Sequence, residues 1–314
     1  MADVVALPDL NPTLGVLEIG TVLAVFLTGI TSLQVWNYFR DYGEDHWSIK
    51  SLVAGIFVGD CIHTAFLCHA VYYFTIIKFA RYEDLLTFIW SLEVTMPLAG
   101  IIGFVVQSYF TVRVYRLTGY VAASACWILS IAALICNFLL THRIVKERLL
   151  SVLEEKTPKA YGLAGLIISA MCDVLIACFL CAGLLRARSG FSQSNKLVDK
   201  LVAFTIGSGL LTSILAISEA ITFAVIPSSV HIGFYCTLAK LYGNSLLASL
   251  NERAYTRREL SHRSLAQQHV SFERTTTVTR QLDGGMELET VNDPPYKGVL
   301  YDETESGPQP VLKV

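Results

Sequence analysis

Seven stretches of the chain run apolar for long enough to cross a bilayer: Leu14–Trp36, Ser51–Ile77, Leu85–Phe110, Tyr120–Thr141, Ala160–Leu185, Leu197–Ala224 and Val230–Leu250. A hydrocarbon core of about 30 Å needs roughly 20 apolar residues as a helix. The runs are continuous rather than alternating, which excludes a membrane β-barrel. Turn residues punctuate them: Asp41 to Asp45, Thr118-Gly119, Thr157-Pro158 and Pro227. The pattern predicts an all-α polytopic membrane protein, a seven-transmembrane-helix bundle over 14–250. A short outside N-terminus (1–13) precedes it, and a disordered cytoplasmic tail (251–314) follows.

No Lys or Arg precedes Arg40, so the first span lacks the basic flank of a cleaved signal and is expected to stay as a helix. Orientation follows from the bases near the helix ends. The side of the N-terminus carries 7 Lys and Arg, and the side of the C-terminus carries 12. An outside N-terminus and a cytoplasmic C-terminus follow, in the plasma membrane or an endomembrane. The fourth loop, with Arg143, Lys146, Arg148, Lys156 and Lys159, runs against this count. Its Val145, Leu149, Val152 and Leu153 recur at helical spacing, which predicts a short amphipathic helix at the interface.

Composition sharpens the class. Only 16% of the 314 residues are charged, against 53% hydrophobic; soluble domains carry about 25% charge. Residues 251–314 hold 10 acids and 8 bases, while the first 250 residues hold 16 of each. A nearly uncharged body with a polar tail excludes a soluble enzyme and a nucleic-acid binder with a basic surface. All eight cysteines fall within the spans, so no loop disulfide is expected.

Ionisable groups inside a membrane cost several kcal/mol unless they face the bundle interior and find partners. Glu18, Asp60, His63, His69, Glu93, Asp173, Glu219 and Lys240 are such groups. Lys240 lies near the centre of the last span, about 15 Å from either surface. It shares a helix face with Cys236 and Asn244, and needs an acid. Asp60, Glu93, Asp173 and Glu219 are the candidates, with Asp173 first. Glu93, Gly100 and Gln107 form a polar stripe on the third span, and Thr205, Ser208, Thr212 and Glu219 another on the sixth. Close helix packing is the plainer reading of both. Asp60 and His63 stand at i, i+3. A core hydrogen-bonded pair is favoured there over a metal site completed by Asp173, and neither a metal nor a cofactor is expected.

Five motifs carry a resemblance, one of them the Gly207 to Ser213 string of the sixth span. The others are Gln34 with Tyr38-Phe39-Arg40, Gln107 with Tyr109-Phe110, Asp173 with Arg186 to Phe191, and the string from Lys240 to Arg253. Together they resemble a large family of seven-helix membrane proteins of mushroom-forming fungi, catalogued as a domain of unknown function. The likeness is clearest over 168–253. It implies a membrane location and seven helices, and no activity.

The tail begins with Arg253, Arg257, Arg258 and Arg263, bases suited to anionic lipid. Ser261 and Ser264 among them are candidate phosphorylation sites, and a cytoplasmic tail partner is left unspecified. No nucleophile motif or phosphate loop is present, so an enzyme has no support. Receptor or sensor of an unidentified small-molecule ligand is the first expectation, and transporter of an ion or small solute the second. A retinal protein with Lys240 as Schiff base, walled by Trp90 and Trp127, is a minor third. Cys236 stands where microbial opsins place an aspartate.

Overall fold

The computed structural model describes residues 9–186, 192–226 and 229–252, the side chains of 82, 192–201, 204 and 208 excepted. Expectations for the tail, with Ser261 and Ser264, lie outside the described residues. The chain is all-helical. A π-helical turn at Asn11–Gly15 leads into α1 (Val16–Asp41), followed by α2 (Trp47–Tyr72), which ends in a second π turn. Then come α3 (Trp90–Thr118), α4 (Tyr120–Glu147), α5 (Lys156–Arg186) and α6 (Ser192–Val225). Residues 230–252 form α7.

Six helices are long and apolar enough to cross a membrane: Asn11–Asp41, Trp47–Ile77, Trp90–Thr118, Tyr120–Glu147, Lys156–Arg186 and Thr205–Val225. The chain is therefore a multi-pass membrane protein. α7 is not among the six, because Lys240, Asn244, Ser245, Ser249 and Asn251 dilute its apolar content. Its burial explains that composition. Residues 238–244, nearly two full turns, are all buried, so protein rather than lipid surrounds the helix there. α1 shows the converse. Ile19, Val22, Phe26, Leu33 and Trp36 are all exposed, an apolar surface suited to acyl chains.

Two loop expectations need correction. The third span starts at Trp90 rather than Leu85, because a 3-10 turn (Tyr82–Leu86) and extended residues precede it. The fourth loop is not an amphipathic helix. Helix α4 runs on to Glu147 and α5 begins at Lys156, leaving one 3-10 turn, Leu150–Glu154, between them. Arg143 and Lys146 thus belong to α4, and Lys156 and Lys159 to α5. Arg148 caps α4 with a left-handed backbone (φ 56°) and its carbonyl accepts from the Phe88 N–H at 2.7 Å. This bond joins the loop before α3 to the loop after α4. Between α3 and α4 the whole connection is Gly119, at φ 95°, where a side chain would be strained.

Helix α7 lies parallel to α1. The Asn244 Nδ2 donates to the Leu27 carbonyl at 3.2 Å, and one heptad on, the Asn251 Nδ2 donates to the Gln34 carbonyl at 2.8 Å. Both asparagines advance with α1, which fixes the shared direction. Nearer the start of the two helices, glycine sets the distance. A Cβ on Gly20 would sit 2.9 Å from the Gly233 Cα, and one on Gly233 would sit 2.8 Å from Val16 Cγ1. Gly20→Ala should therefore push α1 off α7 and cost about 1–3 kcal/mol, as overpacking does. Thermal unfolding in nanodiscs checks this, with Gly29→Ala as control, since nothing lies within 4 Å of its added Cβ.

Candidate functional site

Each residue of an α-helix turns the next by about 100°, so residues two apart point in nearly opposite directions. Lys240 and Tyr242 on α7 are such a pair. Lys240 faces α1 and α2, and Tyr242 faces α3 and α5. Two buried polar centres result, one on each side of α7.

The first centre holds Lys240, which is fully buried. Its Nζ lies 2.9 Å from Asp60 Oδ1, and Asp60 is 1% exposed. Nζ also donates to the Asp60 carbonyl at 2.8 Å and to Thr64 Oγ1 at 2.7 Å. Thr64 in turn meets Thr28 of α1 at 2.7 Å. The ammonium thus has three oxygen partners, which a buried cation requires. The partner expected first, Asp173, is corrected to Asp60, because Asp173 faces the other side of α7. The expected Asp60–His63 hydrogen bond is also absent. With the carboxylate turned to Lys240, both ring nitrogens of the fully buried His63 lack a partner among the described residues. No group of three His, Cys, Asp or Glu among the described residues is placed to hold a metal.

The second centre is built around Asp173 of α5. Oδ1 accepts from Gln107 Nε2 of α3 at 2.8 Å, and Oδ2 accepts from the Tyr242 hydroxyl at 2.8 Å. Ser130 of α4 donates to Gln107 Oε1 at 2.7 Å, and Ser169 Oγ lies 3.1 Å from the Tyr242 hydroxyl. Thr212 of α6 also hydrogen-bonds the acid, so five helices meet in this network, with neutral donors around Asp173. Gln107 was legible as part of a stripe on α3. Tyr242 was not, because a mid-helix tyrosine reads as an apolar residue until its hydroxyl finds an acceptor.

Next to this network lies a cavity of about 170 Å³. The start of α3, α5 and α7 and the end of α4 and α6 enclose it, so it occupies the half of the bundle where α1 begins. Phe104, Leu134, Leu140 and Phe223 give it apolar walls; Gln107, Ser169 and Tyr242 belong to the network and also line the cavity. Glu219, 6% exposed, lines it as well. Its Oε2 has no hydrogen-bond partner among the described residues, and the same holds for Asn137 Oδ1. Lys240 does not line the cavity.

Four further candidates stand apart. Glu93 is in the first turn of α3, and its Oε1 lies 3.4 Å from Arg148 Nε. It ties loops rather than joining the interior centres. Trp90 and Trp127 are 55% and 41% exposed, and neither lines the cavity. Glu18, in the first turn of α1, is exposed.

Residues 169–255 match DUF6534, a family of unknown function. The match runs from the middle of α5 through α7 and includes Asp173, Glu219, Lys240, Tyr242 and Asn244. No curated protein and no solved structure matches the chain.

The pairing gives a direct test. Lys240→Met alone leaves Asp60 buried and unpaired and should cost about 3–5 kcal/mol. Adding Asp60→Leu should recover most of that loss, whereas Asp173→Asn combined with Lys240→Met should be additive. Thermal or denaturant unfolding of the purified variants, read as double-mutant cycles, checks both.

Proposed function

We propose that the chain is a seven-helix receptor- or sensor-type membrane protein, with α7 as the seventh span, that binds a small molecule in the cavity beside Glu219. The reading is of binding, not catalysis. One observation carries it: the hydrogen-bonded side chains of Gln107 and Tyr242 stand between this cavity and the rest of the bundle interior. Gln107 and Tyr242, both bonded to Asp173, close that end of it, and the packed leucines Leu246, Leu247 and Leu250 belong to the core of the other half. A pocket closed at one end suits recognition better than passage. With its 23 residues α7 is about 34 Å long, enough to cross a hydrocarbon core.

The transporter reading has its own observation. A smaller cavity of about 40 Å³ lies on the other side of that closed end, lined by Asp173, Thr205 and Thr212 and again by Gln107 and Tyr242. Passage would require Gln107 and Tyr242 to move aside together. Retinal is not favoured. Lys240 is committed to Asp60 and lies off the main cavity, whose volume is near the ~150 Å³ that holds one benzene.

With the N-terminus outside, as the basic residues suggest, the cavity lies in the outer half of the bundle. An N-terminal epitope tag should then be reached by antibody on intact cells, and a tag after Val314 only after permeabilisation. The reverse labelling would put the cavity on the cytoplasmic side. The ligand reading is tested by thermal shift of purified protein against small single-ring compounds. Some should raise the melting temperature, and Ala133→Phe, which fills the cavity, should abolish the rise. Solute flux in proteoliposomes would favour the transporter.

A further inference from the structure

The chemistry of the cavity's unmet groups specifies a ligand class. Glu219 Oε2 and Asn137 Oδ1 accept hydrogen bonds and neither receives one from the described residues; the buried Tyr235 hydroxyl, also on the lining, can accept as well as donate. No described Lys or Arg lines the cavity; its one basic side chain is His231, whose ring packs on Phe223 at 4.8 Å. The lining therefore has an acid without a fixed counter-ion, spare acceptors and apolar walls. The contrast with the far side of α7 is direct. There the buried acid Asp60 has a lysine at 2.9 Å. Asp173, too, is met by neutral donors: Gln107, Tyr242 and Thr212.

We propose that the cavity takes a small lipophilic amine as its ammonium ion, with Glu219 as counter-ion and Asn137 as a second acceptor. This deepens the ligand-binding reading above and rests on it. An ammonium has donors only, so it matches two acceptors and repels no cation in the site. Its apolar body, about one ring in size, lies against Phe104, Leu134, Leu140 and Phe223. Glu219 is six residues from the end of α6 at Val225, about 9 Å along the helix. The cation thus stays within a short distance of the bundle end and need not reach the bilayer centre. Gly100 keeps the second acceptor in place: a Cβ there would sit 2.6 Å from Asn137 Oδ1.

The experiment uses the full-length protein in nanodiscs of neutral lipid, so that anionic headgroups do not compete for amines. Three probes of similar size are compared by thermal shift and by calorimetry: phenethylammonium, phenylpropanol and phenylpropanoate. The ammonium should bind about tenfold or more tightly than the alcohol, a difference of about 1.4 kcal/mol. The anion should bind weakest. In Glu219→Gln the ammonium should fall to the level of the alcohol, while the alcohol is unchanged. Equal or better binding of the alcohol in wild type overturns the amine proposal and leaves the ligand cavity standing. A preference for ammonium that persists in Glu219→Gln also overturns it. Silence from all three probes, in wild type and in Ala133→Phe alike, overturns the amine proposal together with the cavity reading. Preferential binding of the anion would mean that Glu219 is held as the neutral acid, which likewise rejects an ammonium ligand.

Discussion

The rest of the bundle is arranged around one ion pair. Lys240 is without exposure near the middle of the last helix, 2.9 Å from Asp60 on α2. Neither charge can be released to water, so each holds the other in place. Replacing both with apolar residues costs little in principle, while losing either is expensive. A pair of that kind contributes little net stability and much specificity. It selects one rotation of α7 about its axis out of the many that would bury leucines equally well. With Lys240 turned toward α2, Tyr242 must face α3 and α5, where Asp173 awaits its hydroxyl. Tyr235 and Ala239 then face the cavity. The two polar centres are thus not independent: the first sets the angle at which the second assembles.

That constraint explains the composition of α7. A helix enclosed by other helices does not need the apolar surface that lipid demands, and it can use its side chains for orientation. Asn244 and Asn251 spend amide donors on α1 carbonyls, and Arg113 of α3 reaches Ser249 Oγ at 2.7 Å. The outer helices carry the hydrophobic surface instead. Glycine completes the arrangement at the other end, where Gly20 and Gly233 let α1 and α7 approach to backbone contact. Polar bonds thus fix register in one half, and close approach fixes separation in the other.

Much of this was legible in the chain itself. Long uncharged runs gave the helices and the membrane class, since period and length suffice for that. The rule that buried charges seek partners picked out Lys240, Asp60, Asp173, Gln107, Asn244 and Glu219, all of which are buried. The pairing among them was not legible. Asp60 and Asp173 are equally mid-helix in sequence, and which one meets Lys240 depends on which helices flank α7. That neighbourhood is set by packing, not by local pattern. Glu93 misled for a different reason: the third helix begins five residues later than hydropathy suggests, so an acid placed inside the span is in its first turn. The fourth loop misled because apolar spacing at 145–153 continues α4 and then crosses a turn, which the period alone does not reveal.

The two acids beside α7 and the one on α6 carry the last step. Buried charge is tolerated only where it is answered. Asp60 is answered by a lysine, Asp173 by Gln107 and Tyr242, and Glu219 by nothing described in the fold. A bundle with a lysine already committed to one acid could have met the third with a neutral donor, as it does for Asp173. It leaves an acceptor facing an apolar cavity instead, and Asn137 leaves another. Unmet polar groups reduce stability, and such sacrifices concentrate where a protein binds something. These two acceptors lie on the walls of one cavity, in the half of the bundle away from the packed core of α7. Their complement is a molecule with donors and a small apolar body, and its arrival would finish the pairing that folding leaves open.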